Sequence, residues 1–211
     1  MYKTIKHSLF GAVIMPTILA STISINPANI DVKLPSENNP IVQMIGNLDN
    51  NKIDQAQALR EEKAAKIDAY YAKKNMKLAG HGMEMVTASE KYGLDPYIMA
   101  AIALKETGGG NVTCPITMKR TGNLDYRHNV FGWGSCTITF KSYEEAFDTI
   151  AKNLTGNNPA TAKHYAGKDT VSILESYNPR SVVKDYPEQI MAIMDKIENT
   201  KIDDNKDIAM K

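Results

Sequence analysis

The run Asp95-Pro96-Tyr97-Ile98-Met99-Ala100-Ala101-Ile102-Ala103-Leu104-Lys105-Glu106-Thr107-Gly108-Gly109-Gly110 reads as one short helix with both of its ends written into it. Asp95 is a good N-cap, because a side-chain oxygen there accepts from the free N–H groups of the first turn. Pro96 follows at the first helical position, where its fixed φ costs nothing. Gly108, Gly109 and Gly110 stop the helix. In between, Met99, Ile102, Ala103 and Glu106 recur at i, i+3, i+4 and i+7 and share a face. The first three are apolar, so Glu106 is expected on the core side, in the last turn, where the macrodipole is negative. Desolvation and the dipole both disfavour the carboxylate and push its pKa above the ordinary value of about 4.3. A glutamic acid protonated near neutral pH is the kind of general acid that glycoside hydrolysis requires. The three glycines behind it are expected to let a long polymer approach closely. The competing reading of this helix alone is a Glu paired with a Lys or Arg at the rim of the core.

Outward from this run, helices dominate. Residues 52–77 are highly charged, with Glu62 and Lys66 in the favourable i,i+4 order. Ile53, Ala56, Leu59, Ala64, Ile67, Tyr70 and Tyr71 make a thin apolar stripe, which predicts a solvated helical spacer. A helix after Gly82 carries Met83, Val86 and Glu90 and stops at Gly93. Ser142 and Glu145 have capping-box spacing ahead of the apolar face Tyr143, Ala146, Phe147, Ile150, Ala151 and Leu154. Short helices are predicted over 159–166 and 170–177, and a stronger one from about Pro187 to Ile197. The strand candidates lie between Phe131 and Phe140, where Thr137, Ile138, Thr139 and Phe140 are β-prone. The expected fold class is all-α, with a small β-hairpin at most.

Composition narrows the function classes. The chain has 211 residues, 25 Lys+Arg against 24 Asp+Glu, and a net charge of +1. That balance argues against nucleic acid as a partner, which needs a Lys/Arg excess to neutralise phosphates. Two cysteines and four scattered histidines, without HExxH or CxxC, imply neither a metal centre nor a cofactor. At the N-terminus Lys3 and Lys6 precede an apolar core from Leu9 to Ala20 and then a polar spacer, the order of an export signal. Residues 1–25 are read as a signal peptide or as an anchor to the membrane. Residues 26–51, rich in Asn, Pro, Asp and Ser, are read as a polar linker. The folded domain is expected over 78–198, as a monomer, with a polar tail from 199 to 211. Export permits a disulfide, and Cys114 and Cys136 flank one loop that such a bond would close.

The second informative run is His128-Asn129-Val130-Phe131-Gly132-Trp133-Gly134-Ser135, which holds the only Trp of the chain between two glycines. Aromatic faces beside exposed backbone suit the C–H faces and hydroxyls of a sugar. Four segments in order then resemble a known family. Ala101-Ile102-Ala103-Leu104-Lys105-Glu106-Thr107-Gly108-Gly109 resembles the "AI-x-x-x-ES-G" helix end of lysozyme-like peptidoglycan hydrolases. Asn129-Val130-Phe131-Gly132-Trp133 resembles the "N-L-F-G" segment of their β-N-acetylglucosaminidase branch. Phe140-Lys141-Ser142-Tyr143-Glu144-Glu145-Ala146 is similar to the start of that branch's next helix. Tyr177-Asn178-Pro179 and Tyr186-Pro187-Glu188-Gln189-Ile190 resemble its "Y-A-T-D-P-x-Y-x-x-k-I" ending. The likeness covers roughly Leu78 to Ile197.

The resemblance implies a lysozyme-like helical domain that cleaves the β-1,4 glycan backbone of peptidoglycan, with Glu106 as general acid. It also implies Tyr177 as the tyrosine near the reacting sugar, and Asn129, Phe131, Gly132, Trp133 and Tyr143 along the glycan groove. This chain departs from the pattern where Tyr177-Asn178-Pro179-Arg180 replaces Tyr-Ala-Thr-Asp, and in the two-cysteine loop between Glu106 and Phe131. A second carboxylate, if the reaction uses one, is expected at Asp125. Substrate-assisted hydrolysis and lytic transglycosylation need none. A non-catalytic glycan-binding domain of an envelope or phage assembly is the alternative outside enzymology.

Overall fold

The computed structural model describes residues 40–112, 114 and 119–202. The signal or anchor expected at 1–25, the linker before residue 40 and the tail beyond residue 202 lie outside the described residues. The chain divides into two compact units, Met1–Ile45 and Gly46–Lys211, of which the first is described only from Pro40. The helical domain is the second unit.

Helix α1 spans Pro40–Lys73. Residues 40–51, read above as linker, are therefore helical. Pro40 sits at a helix start, where proline is favoured, and the weak helix formers Asn47, Asn50 and Asn51 conceal the element in the sequence. The predicted apolar stripe is used only in its second half. Ala64, Ile67, Tyr70 and Tyr71 are buried, whereas Ile53 and Leu59 are exposed. The buried Tyr71 hydroxyl donates to the Ala100 carbonyl at 2.7 Å. The packed domain thus begins well before the expected Leu78, and the end of the charged helix belongs to its core.

Helix α2 (Gly82–Tyr92) starts without a side-chain cap from its own N-cap residue. Asp68 of α1 supplies one, accepting from the N–H groups of Gly80 and Gly82, both at 2.8 Å. A Cβ at position 82 would lie 2.3 Å from the Ala64 carbonyl oxygen, so only glycine permits this approach of α1. Helix α3 (Pro96–Thr107) is capped as its sequence predicts, with Asp95 accepting from the Tyr97 N–H at 2.8 Å. Its residues from Pro96 to Ala103 are all buried. Apolar burial at about 25 cal/mol per Å² makes this central helix a main source of stability.

Helix α4 (Tyr143–Leu154) begins at Ser142, which accepts from the Glu145 N–H at 3.1 Å. Ala146, Phe147, Ile150, Ala151 and Leu154 are all fully buried. Helices α5 (Ala162–Tyr165), α6 (Thr170–Tyr177) and α7 (Tyr186–Glu198) complete the domain. Helix α3 packs against α2, α4 and α7, with α6 beside α7. No strand is found among the described residues, so the domain is all-α and the hairpin allowed for at 131–140 is not formed. In its place Trp133–Cys136 forms a single 3-10 turn. Gly132, Gly134, Ser135 and Cys136 all have positive φ, which is incompatible with a strand and overrides the β-propensity of the residues after them.

Candidate active site

The end of α3 fixes Glu106. Gly108 turns left-handed at φ 60°, and its N–H bonds back to the Leu104 carbonyl at 2.9 Å. The buried Thr107 hydroxyl lies 2.9 Å from the Ala103 carbonyl and 2.7 Å from that of Val130. It has one proton to share between them, and it ties the helix end to the Val130–Trp133 segment. Gly109 and Gly110 do not open a path for a polymer, as their position suggested. They are buried and pack against Met76 and Leu78, with the Leu78 N–H donating to the Gly109 carbonyl at 3.1 Å. The glycine beside the carboxyl is Gly132. A Cβ there would stand 3.8 Å from Glu106 Oε2.

Glu106 does not share an apolar face with Met99, Ile102 and Ala103 in the way their spacing predicts. Helix α3 is buried on every side up to Ala103, so it has no single apolar face, and Glu106 lies past the buried part. Taken over the whole residue Glu106 is exposed. Its carboxyl nevertheless accepts from the Tyr186 hydroxyl, through Oε1, at 2.6 Å. Burial of the carboxyl raises its pKa above the usual glutamate range, opposed by the Tyr186 hydrogen bond and by the positive charge of Lys105. Lys105 donates instead to Gln189 of α7 at 2.5 Å, and no described salt bridge includes Glu106. The reading of Glu106 as one half of a rim ion pair is therefore not met among the described residues.

A column of aromatic rings leads away from the carboxyl. Tyr186 stacks on Tyr177 with centroids 6.0 Å apart, and Tyr177 meets Trp133 at 5.9 Å. The Tyr177 hydroxyl donates to the Phe131 carbonyl. Burial, reinforced by contact with the Glu106 charge, pushes both phenols up in pKa, so both remain proton donors. The resemblance implies Tyr177 as the tyrosine near the reacting sugar; the tyrosine bonded to Glu106 is Tyr186, and Tyr177 stacks on it. Sequence reasoning misses Tyr186 because its partner lies 80 residues away in the chain. The signal for it is its place in the family-like segment Tyr186-Pro187-Glu188-Gln189-Ile190, to which the resemblance attaches no role, at the first position of α7.

Asn129 and Phe131, expected along the groove, are 0% and 1% exposed, so neither side chain is open at the surface. The Asn129 side chain accepts from the Trp133 N–H at 2.8 Å and donates to the Trp133 and Ile138 carbonyls at 2.9 and 3.0 Å. It thereby holds the turn that presents Gly132 and the partly buried Trp133. Cys114 and Cys136 form the expected disulfide, with Cα atoms 5.4 Å apart. Tyr143 lies elsewhere in the contact network, between His81 at 4.8 Å and His128 at 4.9 Å. Asp125 is the second residue of a 3-10 turn, Leu124–His128, and its N–H donates to the Asn123 side chain that caps the turn. The described contacts of Glu106 do not include Asp125. Among the described residues no group of His, Cys, Asp and Glu has the arrangement of a metal site.

This arrangement offers one carboxyl with a raised pKa, one oxygen tethered and the other facing a glycine, next to aromatic rings that suit a sugar. Such a site can deliver a proton to a glycosidic oxygen. No curated protein and no solved structure matches the chain. The glucosaminidase family model, described as mannosyl-glycoprotein endo-beta-N-acetylglucosaminidase, matches residues 82–199, more than half of the chain, from the start of α2 to the end of α7. The chain therefore belongs to the glucosaminidase family and is a glycoside hydrolase.

Proposed function

We propose that this hydrolase of the peptidoglycan glycan acts as an endo-β-N-acetylglucosaminidase, with Glu106 as its general acid. The observation that carries the reading is the placement of Glu106. Its carboxyl is tethered through Oε1 to Tyr186, while Oε2 faces Gly132 in a family of glycan hydrolases. The Glu106 proton passes to the oxygen of the β-1,4 bond as that bond to the anomeric carbon breaks, and a water, directly or after the substrate's own acetamido oxygen, bonds to that carbon and returns a proton to the Glu106 carboxylate. Trp133, backed by Tyr177, offers a ring to the sugar chain.

With no second carboxylate among the described contacts of Glu106, the same site also fits lytic transglycosylation, in which an internal sugar hydroxyl takes the place of water. Mass spectrometry of the muropeptides released from purified peptidoglycan separates the readings. Reducing-end N-acetylglucosamine is the expected product. Reducing-end N-acetylmuramic acid would mean a muramidase, and anhydro-muramic ends a transglycosylase. Glu106→Gln keeps the shape and loses the proton, so digestion is expected to fall about 10²–10⁴-fold. Near-wild-type digestion by the folded variant would refute the assignment. The disulfide supports export to an oxidising compartment, where such a substrate is found. Release of a mature chain lacking residues 1–25, or its retention in the membrane fraction, distinguishes a cleaved signal from an anchor.

A further inference from the structure

We infer that Tyr186 is a positioning residue for the glycosidase reaction: it holds Oε1 of Glu106 so that the acidic proton is carried on Oε2, the oxygen facing Gly132. The inference rests on the reading of Glu106 as general acid and specifies which oxygen acts. Tyr186 is 1% exposed, and its ring is fixed by the stack on Tyr177. Tyr177 is in turn fixed by its bond to the Phe131 carbonyl. The Tyr186 hydroxyl therefore has little freedom, and its one proton is spent on Oε1 at 2.6 Å. A carboxyl oxygen that accepts a short bond is a poor place for a second proton. The proton then belongs to Oε2, the oxygen next to Gly132, a residue that puts no side chain beside it.

The simpler account is that a buried phenol needs any acceptor at all. The two tyrosines of the stack differ on this point. Tyr177 satisfies its hydroxyl on a backbone carbonyl, a structural partner. Tyr186 satisfies its own on the one titrating carboxyl of the site. The titratable groups facing Glu106 are Tyr186 on α7, Tyr177 on α6 and Lys105 on its own helix, with Lys105 turned to Gln189. Of these, only Tyr186 forms a described hydrogen bond to the carboxyl.

Tyr186→Phe keeps the ring and the stack and removes only the hydroxyl. The test measures kcat and KM on purified glycan strands across pH, beside Glu106→Gln, with circular dichroism to confirm the fold. For Tyr186→Phe, kcat is expected to fall about 10–100-fold, less than the roughly 10²–10⁴-fold loss expected when the general acid itself is removed, with KM changed less than about threefold. The bond being removed favours the carboxylate, so its loss raises the Glu106 pKa and moves the alkaline limb of the kcat profile to higher pH. A folded Tyr186→Phe with unchanged kcat and an unmoved limb overturns the inference. So does a variant that fails to fold, because the hydroxyl is then structural. If Glu106→Gln remains active, the general-acid reading itself has failed, and the two failures are told apart.

Discussion

Reduction of the Cys114–Cys136 disulfide is expected to cost both stability and activity, by amounts that the structure allows to be worked out. The bond joins residues 22 apart in the chain. In the loop-entropy model a closed loop of about 22 residues removes roughly 3.4 kcal/mol of unfolded-state freedom at 25 °C. For a domain of this size that corresponds to a fall of about 7–14 °C in Tm. The bond also ends a strained turn. Ser135 and Cys136 have φ of 53° and 61°, the left-handed region. That conformation costs a non-glycine residue about 1–2 kcal/mol, so the pair costs about 2–4 kcal/mol. Once the bond is reduced, only the Asn129 side chain and the turn's own backbone hydrogen bonds oppose this strain, so the turn is expected to loosen. Gly132 and Trp133 stand at its head, and Gly132 faces Glu106. Activity is therefore expected to fall on reduction under conditions where the helices persist. Urea unfolding with and without reductant reads the first effect, and glycan digestion on the same samples reads the second. A Cys114→Ser, Cys136→Ser double variant controls for side reactions of the reductant. Equal unfolding midpoints together with equal turnover in the oxidised and reduced protein would refute the reasoning.

Trp133→Ala is expected to weaken binding to glycan strands about tenfold, or about 1.4 kcal/mol. Its stability loss should stay below the ~3–5 kcal/mol of a fully buried Trp, because the ring is only partly buried; calorimetric binding and thermal unfolding check the two numbers. Ser89 is fully buried, and its Oγ finds no hydrogen-bond partner among the described residues. Ser89→Ala is expected to stabilise the protein by about 1 kcal/mol, read as a higher urea midpoint with an unchanged m-value. Glu106 binds its proton more tightly folded than unfolded, so its contribution to stability is fully present below the unfolded pKa. That contribution is lost as pH rises through the raised folded pKa. Glu106→Gln should remove this loss and leave a flatter Tm profile across the same pH range; an unchanged slope would show that the carboxyl is not shifted.

The parts of the fold legible in the sequence are those whose cause is local. Asp95, Pro96 and Gly108 define α3 because a cap, a fixed φ and a left-handed stop each act within a turn. Ser142 does the same for α4. The start of α1 is hidden because a proline before weak helix formers reads equally as a linker. The orientation of Glu106 is not legible from helical spacing, because α3 is enclosed by three other helices up to Ala103. A periodic pattern identifies a face only where the opposite face is polar. The partner of Glu106 is hidden for a related reason. It depends on α7 lying across α3, and no local rule reports that crossing.

The run from Asn129 to Cys136 shows how a sequence motif and its physical role diverge. Its residues resemble a groove-lining motif, and the natural expectation is that each of them touches sugar. In the fold they divide the work. Asn129 spends its amide on one backbone N–H and two carbonyls of the turn, a set of bonds that a strand ladder would otherwise provide. Phe131 buries its ring against Phe147 and lends its carbonyl to Tyr177. Gly132 contributes the absence of a side chain next to Oε2. Only Trp133 offers a partly open ring. Substitutions at Asn129 and Trp133 should accordingly differ in kind. Asn129→Ala leaves three backbone groups without their partner, each costing about 1–3 kcal/mol where buried, and should unfold the turn before it alters sugar contact. Trp133→Ala should leave the turn in place and remove the contact. Proton-exchange protection of the Trp133 and Thr137 amides distinguishes them, since both N–H bonds belong to the turn. Loss of protection in both variants alike would mean that Trp133 also holds the turn, and that the division of labour argued for this segment is wrong.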